Sequence, residues 1–156
     1  MHITIVAVNQ KLPAWAQTAV DDYLARFPRD FTVTVKEVKA ETRSSGKPVA
    51  QVMAAEAERI ERAVPAGDIL VAMDEHGRDM TTVDFAKKIS GWKNEGCGVT
   101  FIIGGADGLD PALKAKARMM LRLSSMTLPH AFARVLLAEQ IYRAWSILVN
   151  HPYHRA

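Results

Sequence analysis

The chain has 156 residues, 49% hydrophobic and 24% charged, with a formal net charge of +3. A chain of that length suits one domain burying about 68–70% of its unfolded surface, which excludes disorder and leaves no room for two full-sized domains. No apolar run approaches the ~20 residues of a membrane span, the start Met1-His2-Ile3-Thr4-Ile5 lacks a basic n-region, and the lone Cys97 has no internal partner; a cytoplasmic protein is expected.

Residues 3–8 are a continuous, β-branched apolar run and predict a buried strand. From Pro13 the period changes: Trp15, Ala19, Val20, Tyr23, Leu24 and Phe27 recur at three and four, as on a helix. Residues 31–38 alternate with period two and predict a half-exposed strand. Residues 41–47, with Ser44, Ser45 and Gly46, read as a mobile loop carrying Arg43 and Lys47. Pro48 opens an alanine-rich helix to about Val64, and Pro65-Ala66-Gly67 stops it. Residues 69–73 form the third strand, followed by an acidic turn, Asp74-Glu75-His76-Gly77. Thr82 is the expected N-cap of a helix reaching about Asn94. Val99–Ile103 is a strand running into Gly104-Gly105, and Asp110-Pro111 starts a short helix. Residues 119–123 predict a fifth strand and residues 130–150 the longest helix. The alternation predicts an α/β fold with a largely parallel sheet covered by helices.

Charge is uneven along the chain. Between residues 113 and 156, Lys114, Lys116, Arg118, Arg122, Arg134, Arg143 and Arg155 stand against Glu139 alone. That segment carries +6 and leaves −3 for the first 112 residues. The reading is either one basic face for a polyanion or an ordinary solvated surface.

Three stretches carry candidate chemistry. Gly104-Gly105-Ala106-Asp107-Gly108-Leu109 joins a buried strand to a helix, where glycines let the backbone turn sharply and approach a ligand. Its spacing and its place after the fourth strand fit neither a dinucleotide fingerprint nor a phosphate loop; a plain glycine turn is the alternative. Leu123-Ser124-Ser125-Met126-Thr127-Leu128-Pro129-His130 is a second strand-to-helix junction, able to hydrogen-bond a heterocycle or simply to cap its own backbone. The ending His151-Pro152-Tyr153-His154-Arg155 has the composition to stack on a base and hold phosphate. No acidic or cysteine partner lies near its histidines, and no metal is expected. Glu139 and Arg143, four apart, fit a helix ion pair.

Together, IIGGADGL, LSSMTLPH and LLAEQIYRAWSILVNHPYHR, in this order and spacing, resemble the small ribosomal large-subunit RNA methyltransferases of the SPOUT superfamily. The resemblance spans the whole chain and is most specific from Val99 to Arg155. It implies an α/β fold with a C-terminal trefoil knot, a homodimer, and S-adenosylmethionine as cofactor. The reaction it implies is methylation of N3 of a pseudouridine in the 23S rRNA stem-loop that forms an intersubunit bridge of the assembled 70S ribosome. Carried over by motif, the cofactor pocket comprises Met73, Gly104, Leu123, Ser124, Ser125, Met126, Thr127 and Leu128. Tyr153 and His154 are the candidate bases for the imide proton, with Arg143 or Arg155 stabilising developing negative charge. Arg155, Arg43 and Lys47 are the expected RNA contacts. Two rivals stand beside this reading: a related enzyme acting on another nucleotide or on tRNA, and a non-catalytic RNA-binding module.

Overall fold

The computed structural model describes residues 1–9, 11–44 and 46–155. Ser45, read as part of the loop, lies outside them.

The strands are β1 (His2–Val8), β2 (Thr32–Val38), β3 (Ile69–Arg78), β4 (Val99–Ile103) and β5 (Met119–Leu121). They form one parallel sheet in the order β2-β1-β4-β3-β5. The helices are α1 (Ala14–Leu24), α2 (Val49–Ala63), α3 (Thr82–Asn94), α4 (Pro111–Lys116) and α5 (His130–Leu148), with a 3-10 turn at Pro152–His154.

The two faces of the sheet follow the two-residue period of the strands. Ile3, Ile5, Val71, Phe101 and Ile103 point to one side and pack with Phe85 and Ile89 of α3 and Leu137 and Ile141 of α5. Val6, Val8, Ala72 and Ile102 point to the other and meet Ala57 and Ile60 of α2 and Leu113 of α4. Each of the valine, leucine, isoleucine and phenylalanine side chains among them contributes about 1.5–3 kcal/mol when fully buried, relative to exposure. Interior β1 and β4 are buried on both faces, which is why they read as unbroken apolar runs. Edge strand β2 keeps the alternation of a half-exposed strand.

Four boundaries differ from expectation. Thr81, not Thr82, caps α3, its hydroxyl accepting from Asp84 N–H at 3.1 Å, while Thr82 Oγ1 donates to Gln140 Oε1 at 2.7 Å. The acidic stretch after Met73 is not a turn that ends the strand: β3 continues to Arg78 through an irregularity in which Leu121 pairs with both Met73 and Arg78. Asp74 Oδ1, accepting from His76 N–H at 2.8 Å, shapes that excursion. β5 stops at Leu121, one further ladder bond running from Arg122 N–H to Arg78 O. α5 ends at Leu148, and Asn150 takes a positive φ of 56° that turns the chain back onto the helix.

Candidate functional site

The order β4-β3-β5 places three neighbouring carboxyl ends side by side. Met73, paired with Leu121 and one residue beyond the Ala72–Ile102 pair, is the natural floor for a ligand at strand ends. A cleft of about 180 Å³ opens there. Met73, Asp74, Ile103, Leu123, Met126 and Leu128 are among its lining residues, with Ser124, Thr127 and Ala133 completing one wall. The loop that forms this wall is held by Met126 N–H donating to Ser124 Oγ at 2.9 Å, and it leaves the Met126 side chain 77% exposed at the mouth.

Of the expected pocket residues, Met73, Leu123, Ser124, Met126, Thr127 and Leu128 line this cleft; Gly104 and Ser125 do not. Gly104 directly follows the lining residue Ile103. A Cβ there would come within 2.5 Å of the Gly108 carbonyl carbon, and one on Gly105 within 2.9 Å of Glu56 Oε1. At both positions a side chain would collide with atoms of the chain itself. Gly77 is a similar case that the sequence reading missed: a Cβ would meet the Leu121 backbone at 2.7 Å, where the β3 excursion crosses β5.

Asp74 was also missed, although it directly follows Met73 at a strand end. Its side chain is 12% exposed and lines the cleft, and its Oδ2 accepts from Lys114 Nζ at 2.9 Å. Burial pushes this carboxyl up, but the hydrogen bonds from Lys114 and His76 N–H outweigh burial and hold it below the ordinary range. The cleft thus offers an apolar floor, hydroxyls, the carboxyl groups of Asp74 and Glu75 and the guanidinium of Arg122.

The C-terminal residues form a second centre. The 3-10 turn at Pro152–His154 folds against α5, and the Tyr153 ring packs on Tyr142 with centroids 4.6 Å apart. Tyr153 Oη donates to Glu139 Oε1 at 3.1 Å and shares a 3.0 Å hydrogen bond with Tyr23 Oη. Arg143 Nε donates to the same Glu139 oxygen at 2.7 Å, and its guanidinium lies 5.0 Å from the centre of the Tyr153 ring. Burial, the hydrogen bond with Tyr23 and the negative charge of Glu139 push the Tyr153 phenol well above its ordinary range. In this arrangement the Tyr153 hydroxyl is a hydrogen-bond donor to Glu139. His154 Nδ1 sits 3.2 Å from Ser146 Oγ, which itself donates to Arg143 O. His154 and Arg155 rim a shallow hollow at the end of the chain, separate from the cleft. Within one chain the tail and the cleft are not brought together.

The uneven charge of the sequence is partly paired in the fold. Five of the C-terminal cations are matched by acids from the first 112 residues: Lys114 with Asp74, Lys116 with Glu61, Arg118 with Glu95, Arg122 with Asp79, and Arg134 with Glu37. Arg143 is held by Glu139. In the loop, Arg43 pairs with Asp107 of the glycine turn and Lys47 with Glu41. Most cations of residues 113–156 are therefore engaged in ion pairs.

Among the described residues no group of histidine, cysteine and acidic side chains could hold a metal ion, and no helix is long and apolar enough to cross a membrane.

Comparison with known proteins adds an independent line. Residues 1–154 match the family described as "Predicted SPOUT methyltransferase". The chain is 54% identical to the ribosomal RNA large subunit methyltransferase H of Ralstonia pickettii over 155 residues, 99% of each chain. It is also 54% identical to the protein of the same name from Bordetella avium over 156 residues, covering both chains completely. Among solved structures, a methylase family protein from Haemophilus influenzae superposes with a TM-score of 0.59 at 15% identity, over 97% of this chain and 69% of that one.

Proposed function

Because the chain belongs to the SPOUT methyltransferase family, we propose that it forms one methyltransferase domain that transfers a methyl group from S-adenosylmethionine to N3 of a pseudouridine in 23S rRNA. The substrate is the stem-loop at the intersubunit bridge of the assembled 70S ribosome, and the enzyme works in the cytoplasm as a homodimer. The observation that carries this reading is the cleft at three adjacent strand ends, lined by six of the residues that the family motifs single out.

The cleft fits the cofactor. Met73, Ile103, Leu121, Leu123 and Leu128 give an apolar bed for a heterocycle; Ser124 and Thr127 supply hydroxyls, and ionised Asp74 suits the cofactor's positive charge. When bound, S-adenosylmethionine supplies a methyl group on a sulfonium, already a good leaving group. The chain is then left to orient the partners, exclude water and take up one proton. Met126 at the mouth is placed to cover the ligand. The imide proton goes to a group with free capacity, and His154 fits better than Tyr153, whose own proton is held by Glu139.

Since tail and cleft stand apart in one chain, the tail of one copy completes the cleft of the other. Trp15 and Phe132, with rings 4.8 Å apart and each 49% exposed, give α1 and α5 an apolar face for a second copy. A mixed dimer tests this: one subunit truncated after Asn150, the other carrying a broken cleft. Sharing leaves one working site made from the intact tail and the intact cleft of different subunits; complete loss of activity contradicts it. The function itself is tested by methyl transfer to ribosomes lacking the modification, with free rRNA and tRNA alongside.

A further inference from the structure

Three hollows lie next to one another along the β5 edge of the sheet. The cleft and a neighbouring hollow of about 200 Å³ share Leu121, Arg122 and Leu123 as a dividing wall. That hollow in turn shares Met80 with a broader groove of about 640 Å³ running along α3. Arg78, Lys87, Lys88 and Arg118 line this groove, together with the acidic Asp84 and Glu95.

Some of the charges in this groove are paired and others are not. Glu95 is taken by Arg118 at 3.1 Å. Arg78, Lys87 and Lys88 are exposed, and none of the ion pairs among the described residues includes them. The groove is thus net positive, whereas the loop cations Arg43 and Lys47 are already paired. It is also tied to the cleft through the backbone: Arg122 N–H donates to Arg78 O at 3.1 Å, and Leu121 pairs with both Met73 on the cleft floor and Arg78. Trp92, the aromatic residue of the groove, is 5% exposed and has no face free for a base. Cations without a stacking platform suit a phosphate backbone and carry no sequence readout.

We propose that this α3 groove is the track on which the phosphates of the RNA substrate dock, with Arg78, Lys87 and Lys88 as its contacts, so that the strand leads along the β5 edge to the cleft. The inference rests on the RNA-methyltransferase reading and adds where the RNA lies. Arg43 and Lys47, by contrast, brace the loop against the glycine turn and against Glu41.

The test is methyl transfer to ribosomes lacking the modification, measured across a salt series with wild type, the triple variant R78Q/K87Q/K88Q, and the control R43Q/K47Q. The groove predicts that the triple variant raises KM for ribosomes about tenfold or more at moderate salt and flattens the salt dependence of KM by roughly two to three log units per log unit of salt. Its kcat and its affinity for S-adenosylmethionine stay at wild-type values. The charge-keeping variant K87R/K88R retains the wild-type KM, and the control moves it far less than the triple variant does. Unchanged KM and salt slope in a folded triple variant overturn the groove and leave the methyltransferase reading intact. A change in solution mass with an unchanged salt slope puts a second copy on the groove and likewise overturns it. A wild type that transfers no methyl to ribosomes removes the reading beneath the groove, and the groove with it.

Discussion

Tyr153 Oη lies 3.1 Å from Glu139 Oε1, the same oxygen that accepts Arg143 Nε, so one carboxylate in the middle of α5 fastens the end of the chain. Glu139 also accepts from Gln140 Nε2 at 2.8 Å, and Gln140 reaches Thr82 at the start of α3. E139Q removes the charge and leaves Arg143 and Tyr153 with a weaker acceptor. It is expected to lower stability by about 1–3 kcal/mol in thermal or denaturant unfolding.

The same contact fixes a pH dependence. The Tyr153 phenol is raised above its ordinary value of 10.0, so above that pH the unfolded chain releases a proton that the folded chain keeps. The contribution is fully present below pH 10 and is lost as pH rises toward the folded value. Tyrosinate absorbance should show a phenol that resists titration in the folded protein and is absent from Y153F. Y153F should reduce the loss of stability at alkaline pH.

At the cleft, Asp74 gives the opposite sign. Its carboxyl is held below the model-compound value of 3.8, so its contribution to stability is present above that pH and lost as pH falls through the folded value. Replacing Lys114 by methionine removes the strongest of the lowering contacts and lets burial prevail. The Asp74 titration, followed by carboxyl NMR, should then move upward.

Glycines sort by what surrounds them. G77A and G104A each drive a methyl into backbone, at 2.7 Å and 2.5 Å, and should destabilise by about 1–3 kcal/mol or more. Gly91, within α3, has open space around it, and G91A should stabilise by about 0.5–1 kcal/mol. Chemical denaturation of the three variants checks the order.

Arg134 is 1% exposed; its Nη1 donates to Glu37 at 2.7 Å, while its Nε and Nη2 have no partner. Such a guanidinium is costly to bury, and R134M should be neutral or stabilising. E37Q, which strands the charge, should cost about 1–3 kcal/mol, less than for a fully buried pair because Glu37 is partly solvated.

Most of the sheet was legible in the sequence because β1 and β4 are buried on both faces and β2 on one, and each state leaves its own period. The cleft was legible in outline, since strand ends followed by small residues mark such places in α/β folds. Pairing between distant charges was not: Lys114–Asp74 and Arg118–Glu95 are set by chain crossing, and a local count of cations saw only excess. The continuation of β3 was hidden for a related reason. Residues 74–77 have turn composition, and only the shared partner Leu121 shows that the strand resumes. The packing of Tyr153 was invisible because a five-residue ending has no periodicity to read.

The central claim is tested most directly by supplying labelled S-adenosylmethionine to ribosomes that lack the modification and mapping the label to a nucleotide. The account predicts label at N3 of a pseudouridine in the bridge stem-loop of 23S rRNA, and none on free rRNA or tRNA. Label on tRNA or on another nucleotide would contradict the assigned substrate, and no label on any RNA despite cofactor binding would contradict the assigned function.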